Sequence, residues 1–213
     1  VGRETVSQVN TTAGFNICTY SGSGSQSSFG HSLGAAPEWI IIKNRSQADD
    51  WFVWVTGLNN NQGLEISTND AVGTTNGFMG NEAPTSVVVG LGDGHSTNAS
   101  SENYVAYLWT SIKGFSKFGS YTGNGSTFGP RVHTGFRPAF LLIKETANAN
   151  EWRLFDHRRS PFNGVDIHFE ADTNGAETDG NGTSNGYDFL ADGFKVRTSN
   201  AGNNRNNGNY AYI

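Results

Sequence analysis

The chain has 213 residues, a formal net charge of −5, 28 glycines, 12% aromatic residues and one cysteine. An acidic balance without a large Lys/Arg cluster argues against a nucleic-acid partner, and a single Cys18 excludes an internal disulfide. No apolar run is long enough for membrane insertion and no signal peptide is visible.

In chain order the sequence predicts strands and almost no helix. Apolar residues never recur at helical spacing over three turns behind a cap. The expected strands are 15–20, 39–43, 51–56, 64–67, 86–90 and 104–112, then 115–121, 139–144, 152–155, 165–169, 193–198 and 209–213. Gly- and Asn-rich stretches between them supply turns, because both residue types tolerate positive φ. The runs Trp39-Ile40-Ile41-Ile42 and Phe140-Leu141-Leu142-Ile143 read as strands covered on both faces, each started behind a proline, Pro37 or Pro138.

The second half restates the first. Gly14-Phe15 returns as Gly114-Phe115, 100 residues on; Tyr20, Pro37, Lys43 and Trp51 return as Tyr121, Pro138, Lys144 and Trp152, 101 on; Asn103-Tyr104 returns as Asn209-Tyr210, 106 on. The offset grows only across Gly/Asn-rich stretches, where loops accept insertions. The expectation is an all-β antiparallel sandwich or jelly roll built from two related repeats, 1–113 and 114–213, packed in tandem or about a pseudo-two-fold axis. The chain opens at Val1 without Met and stops in what reads as mid-strand, so it is expected to be part of something longer, with its last strand completed elsewhere.

Catalytic signals are faint. Gly182-Thr183-Ser184-Asn185-Gly186 has nucleophile-elbow spelling, but it lies in an Asn/Gly loop rather than between strand and helix. The five histidines lack metal spacing; His31 and His133 precede Pro37 and Pro138 and read as structural. The oxygen-rich stretch 172–181 misses the alternation and terminal Glu of a helical calcium loop. No two carboxylates stand out as a glycosidase pair. The expectation is a non-enzyme with no metal and no cofactor. Sugar-binding surfaces combine aromatic platforms with Asp, Asn and Arg. The candidates of the right type are Trp54, Trp152, Arg153, Asp156, Arg158 and Asn163, with Trp109 also considered; 152–164 is the first place to look.

The phrases Gly-Phe…Tyr-(Ser/Thr)-Gly-x-Gly, Pro-x-(Trp/Phe)-(Ile/Leu)-(Ile/Leu)-Ile-Lys and Trp-x-Leu-Phe-Asp resemble a repeated domain of unknown function found in structural proteins of tailed bacteriophages, marine and cyanobacterial ones especially. The likeness covers nearly the whole chain and is most specific over 114–125 and 134–140. It implies a virion location and a structural or adhesive role, and the leading expectation is a tail-fibre or tail-tip domain that attaches to host-surface glycan. A purely architectural module, such as a capsid decoration or head-fibre domain, is the alternative, and a glycan-degrading spike the third. Partners implied are other virion proteins, host cell-surface polysaccharide and further copies of the chain, with a trimer favoured. The resemblance carries no catalytic residues.

Overall fold

Period-two alternation builds both halves of the computed structural model, which describes residues 2–3, 5–74, 77–180 and 186–213. Two units result, one comprising Val1–Ile66 and Val72–Ile112, the other Ser67–Ala71 and Lys113–Ile213. Among the described residues no helix is long and apolar enough to cross a membrane.

The first unit contains β1 (Gly2–Arg3), β2 (Val6–Asn10), β3 (Phe15–Ser21), β4 (Ser27–Gly30), β5 (Trp39–Asn44), β6 (Trp51–Val55), β7 (Gln62–Glu65), β8 (Gly73–Thr74), β9 (Val88–Leu91), a one-turn helix α1 (His95–Asn98) and β10 (Asn103–Trp109). Seven strands form one sheet in the order β2-β3-β10-β5-β6-β7-β8, and β1-β4-β9 form a second. The core lies between them. Cys18 and Tyr20 of β3, Ile40 and Ile42 of β5, Phe52 and Trp54 of β6, and Tyr104, Ala106 and Leu108 of β10 meet Phe29, Val89 and Leu91 of the small sheet.

The second unit contains β11 (Gly119–Thr122), β12 (Arg131–His133), β13 (Phe140–Glu145), β14 (Arg153–Asp156), β15 (His168–Glu170), β16 (Tyr187–Leu190), β17 (Gly193–Val196), α2 (Ala201–Asn204) and β18 (Asn209–Tyr212). Its sheets run β11-β18-β13-β14-β15 and β12-β17-β16. Tyr121, Leu141, Ile143, Phe155, Tyr210 and Tyr212 of the large sheet pack on Val132, Phe189, Phe194 and Val196 of the small one. The protein is therefore all-β, and among the described residues its named strands pair antiparallel apart from the short β1–β4 pair. The order β11-β18-β13-β14-β15 matches β3-β10-β5-β6-β7, and the pair β12–β17 matches β4–β9.

Both units anchor their short helix in the same way. Tyr20 Oη donates to the Thr97 carbonyl and Tyr121 Oη to the Asn203 carbonyl, each at 2.7 Å. Tyr104 Oη donates to the His95 carbonyl and Tyr210 Oη to the Ala201 carbonyl.

Two expectations change. The last strand β18 is interior, paired with β11 on one side and β13 on the other, so it presents no unfinished edge. Ser67–Ala71, expected within the first repeat, belongs with the second unit, because the buried Lys144 ammonium donates to the Asn69 carbonyl at 3.2 Å. The nucleophile-elbow spelling at Gly182–Asn185 lies outside the described residues.

Candidate functional site

Most of the sequence candidates serve the fold. Trp54 is 6% exposed, facing the core, and its indole N–H donates to the Asn59 carbonyl. Trp152 is fully buried. Neither offers a ring to a ligand: hydrophobic burial claims both large rings. Arg153 stands on β14 opposite Ile143 and is also buried; its Nη1 donates to Asn200 Oδ1 at 2.9 Å. The expected charged surface at Arg153 is thus an interior hydrogen-bonding position. Asp156 closes its own turn, accepting the backbone N–H groups of Arg158 and Arg159 and, at 2.6 Å, Arg159 Nε. Burial pushes the Asp156 carboxyl up, but these donors outweigh it and hold it below the ordinary carboxylate range. Asn163 pairs both ends of its amide with the Phe189 backbone. Arg158 is exposed.

The most exposed aromatic rings of the second unit are Phe162, Phe128 and Phe115, and a row of neighbouring, partly exposed rings lies on the outward face of the first unit's large sheet. Alternation along β10 sends Tyr104, Ala106 and Leu108 into the core and Val105, Tyr107 and Trp109 outward. Phe15 and Ile17 of β3 share that outward face, as does Trp51 at the start of β6. Register sets Phe15 beside Trp109 and Ile17 beside Tyr107. Four rings form a row, with interplanar angles of 33° for Phe15–Trp109, 22° for Trp109–Tyr107 and 26° for Tyr107–Trp51. Centroid separations are 4.9 Å for Phe15–Trp109, 6.2 Å for Trp109–Tyr107 and 6.4 Å for Tyr107–Trp51. Phe15, Tyr107 and Trp109 are half-buried and Trp51 is 38% exposed. On the same face Trp39, Val53 and Val55 are fully buried, so the row marks where the face opens.

A polar concavity of about 400 Å³ lies toward the other end of β3 and β10, lined by Thr5, Val6, Thr19, Tyr20, Ser21, Arg45 and Asn103. Ser21 Oγ donates to Asn103 Oδ1 at 3.0 Å, and the Arg45 backbone N–H donates to the Asn103 carbonyl. Aromatic rings and, toward the other end of the same strands, hydroxyl, amide and guanidinium groups are the side-chain types that suit a ligand with both C–H faces and many hydroxyls. Period-two alternation puts Trp51 and Trp54 on opposite faces of β6, and the sequence candidate Trp54 is the one facing inward. Only the position of the small sheet decides which face is the core.

Two further charged clusters close the helical turns. In the first unit His95 lies 2.9 Å from Asp49 and 3.5 Å from Glu102. The hydrogen bond to the Asp49 carboxylate, helped by Glu102, raises the His95 pKa above its ordinary value. Glu102 also accepts from Asn44 Nδ2 and Tyr104 Oη. In the second unit the fully buried Glu145 side chain accepts from Arg205 Nε and Asn148 Nδ2, each at 2.8 Å, and from Asn150 Nδ2. Among the described residues no three His, Cys, Asp or Glu side chains are grouped to hold a metal ion. His31, buried, bonds to the Thr85 carbonyl at 3.1 Å, while His133 is exposed beside Asp192.

The chain belongs to the family described as "Domain of unknown function (DUF7483)", which it matches over residues 3–213. No curated protein matches it, and no solved structure does.

Proposed function

We propose that this chain is a binding module of a bacteriophage virion, placed in a tail fibre or tail tip, that holds host cell-surface glycan without cleaving it. The observation that carries the reading is the row Phe15–Trp109–Tyr107–Trp51, four partly exposed rings on the outward face of a sheet whose strands β3 and β10 lead to a polar concavity at their other end. Soluble proteins rarely keep contiguous apolar rings at the surface without use for them. The virion setting rests on the resemblance of the repeated phrases to phage structural proteins. Ring-on-sugar contacts are individually weak, so several copies on one particle provide the avidity.

The test is a glycan array and a host-cell adsorption competition with the purified chain. Wild type binds saturably and blocks adsorption. Trp109→Ala and Tyr107→Ala each weaken binding about tenfold, the equivalent of roughly 1.4 kcal/mol for one lost ring contact. Arg158→Ala, distant in sequence and on the second unit, leaves binding unchanged. Wild-type chain that is folded yet binds neither array nor cells overturns the reading. The architectural alternative, a module that binds only other virion proteins, is favoured by one observation, the uncharged sheet edges β2 and β11.

A further inference from the structure

The two large sheets share a strand order but differ at one edge. In the first unit β3 is covered by β2, whose Val6, Gln8 and Asn10 stand opposite Thr19, Ile17 and Phe15. In the second unit β11 occupies the place of β3, and no strand covers its other edge among the described residues.

The direction of its free groups follows from the ladder. Gly123 N–H donates to the Gly208 carbonyl, in register with the Tyr121–Tyr210 pair. In an antiparallel ladder the hydrogen-bonded positions alternate, so Tyr121 turns its backbone toward β18 while Ser120 and Thr122 turn theirs to the open side. By the same alternation, Gly22 N–H donating to the Glu102 carbonyl points Tyr20 at β10 and Thr19 at β2. Val6, Gln8 and Asn10 then bond inward, and Ser7 and Val9 face the far side of β2, which is itself the end of its sheet.

Natural edge strands are usually blunted by charge, proline or shortness. Neither Val6-Ser7-Gln8-Val9-Asn10 nor Gly119-Ser120-Tyr121-Thr122 contains a charge or a proline. The opposite edges are different: β8 has two residues and β15 has three, ending in Glu170. Along β2, Val6 is 74% and Val9 43% exposed.

We propose that β2 of one copy pairs antiparallel with β11 of a second copy, extending the second unit's large sheet with the strand type its counterpart already has. The occupant is another copy of this chain, because among the described residues β2 and β11 are the two large-sheet edges of four or more residues, and both are free of charge and proline. The two edges differ, so the contact is head-to-tail, and successive copies close a ring or run on as a filament. The mode is strand addition, with backbone bonds supplying the attraction.

Sedimentation velocity on the whole chain tests this. Ser120→Pro and Val9→Pro each remove an outward N–H without touching the strand's own ladder. Wild type sediments as an oligomer, and each variant alone falls to the monomer. An equimolar mixture of the two forms a heterodimer, since Ser120→Pro keeps a competent β2 and Val9→Pro a competent β11. Should a proline variant lose its near-ultraviolet circular dichroism, Ser120→Lys and Val9→Lys place a charge on the same exposed edges and carry the same expectation. A monomeric wild type overturns the proposal. So does disruption by only one of the two substitutions, which would mean a like-with-like contact between two β2 or two β11 edges.

Discussion

Gly22 and Gly123 show how single positions fix the turns that hold the helices. A Cβ on Gly22 would lie 2.0 Å from the Ala99 carbonyl oxygen, and one on Gly123 2.4 Å from that of Arg205. Backbone atoms cannot yield as a flexible side chain does. Gly22→Ala and Gly123→Ala are each expected to lower stability by about 1–3 kcal/mol in urea unfolding, the usual cost of forced overpacking. His95 and Arg205 differ in a way that pH exposes. His95 gains a carboxylate partner, so its folded pKa lies above its unfolded value. Its contribution is complete below about pH 6.5 and is lost as pH rises through the raised folded value. Arg205, held by Glu145, stays protonated throughout. Between about pH 6 and about pH 9, amide protection in α1 is expected to fall relative to α2. Asp49→Asn removes that difference; unchanged relative protection across the range would contradict the assignment.

Each helix, at four residues, is too short to hold itself together and depends on one buried asparagine. Asn98 Oδ1 accepts from the Ser23 N–H while Nδ2 donates to the Ser25 and Gly92 carbonyls. Asn204 repeats this with the Asn124 N–H and the Ser126 and Thr198 carbonyls. Asn204→Asp sets a carboxylate oxygen against two carbonyls in a site with no exposure. The expected loss is about 2–4 kcal/mol, read from the unfolding midpoint, with Asn204→Ala costing less because it repels nothing. These asparagines sit in stretches that read as polar loops. Their burial depends on two distant turns meeting, which local pattern does not encode.

Across the whole molecule, the second unit is not a continuous stretch of chain. Its Lys144 ammonium is fully buried and donates to the carbonyls of Asn69, Glu145 and Asn148. Burial pulls its pKa down to about 8, against the pull of the Asp172, Glu145, Asp70 and Glu151 carboxylates. A fragment of residues 113–213 lacks the Asn69 carbonyl and the rest of Ser67–Ala71. Its melting temperature is expected to fall below that of the same unit in the full chain. In the full chain Lys144→Met leaves three carbonyls without their donor, at a cost of about 1–3 kcal/mol. A fragment as stable as the intact unit would show that the Ser67–Ala71 segment adds nothing.

What the sequence determined by itself is the all-β class and the central strands, because these depend on local period and on β-branched and aromatic content. The runs at 39–43 and 139–144 became β5 and β13, and the alternation at 51–55 separated Trp51 from Trp54 correctly. Tertiary structure alone decided which side of that alternation met the small sheet, and so turned Trp54 into a core residue; it also buried Trp152 and left Phe15, Tyr107 and Trp109 half-buried in a row on the outward face. It also decided that the interior strand would be β18 and the open edge β11. Strand order and burial are set by contacts between residues far apart in the chain, and period-two patterning is the same whichever face is covered.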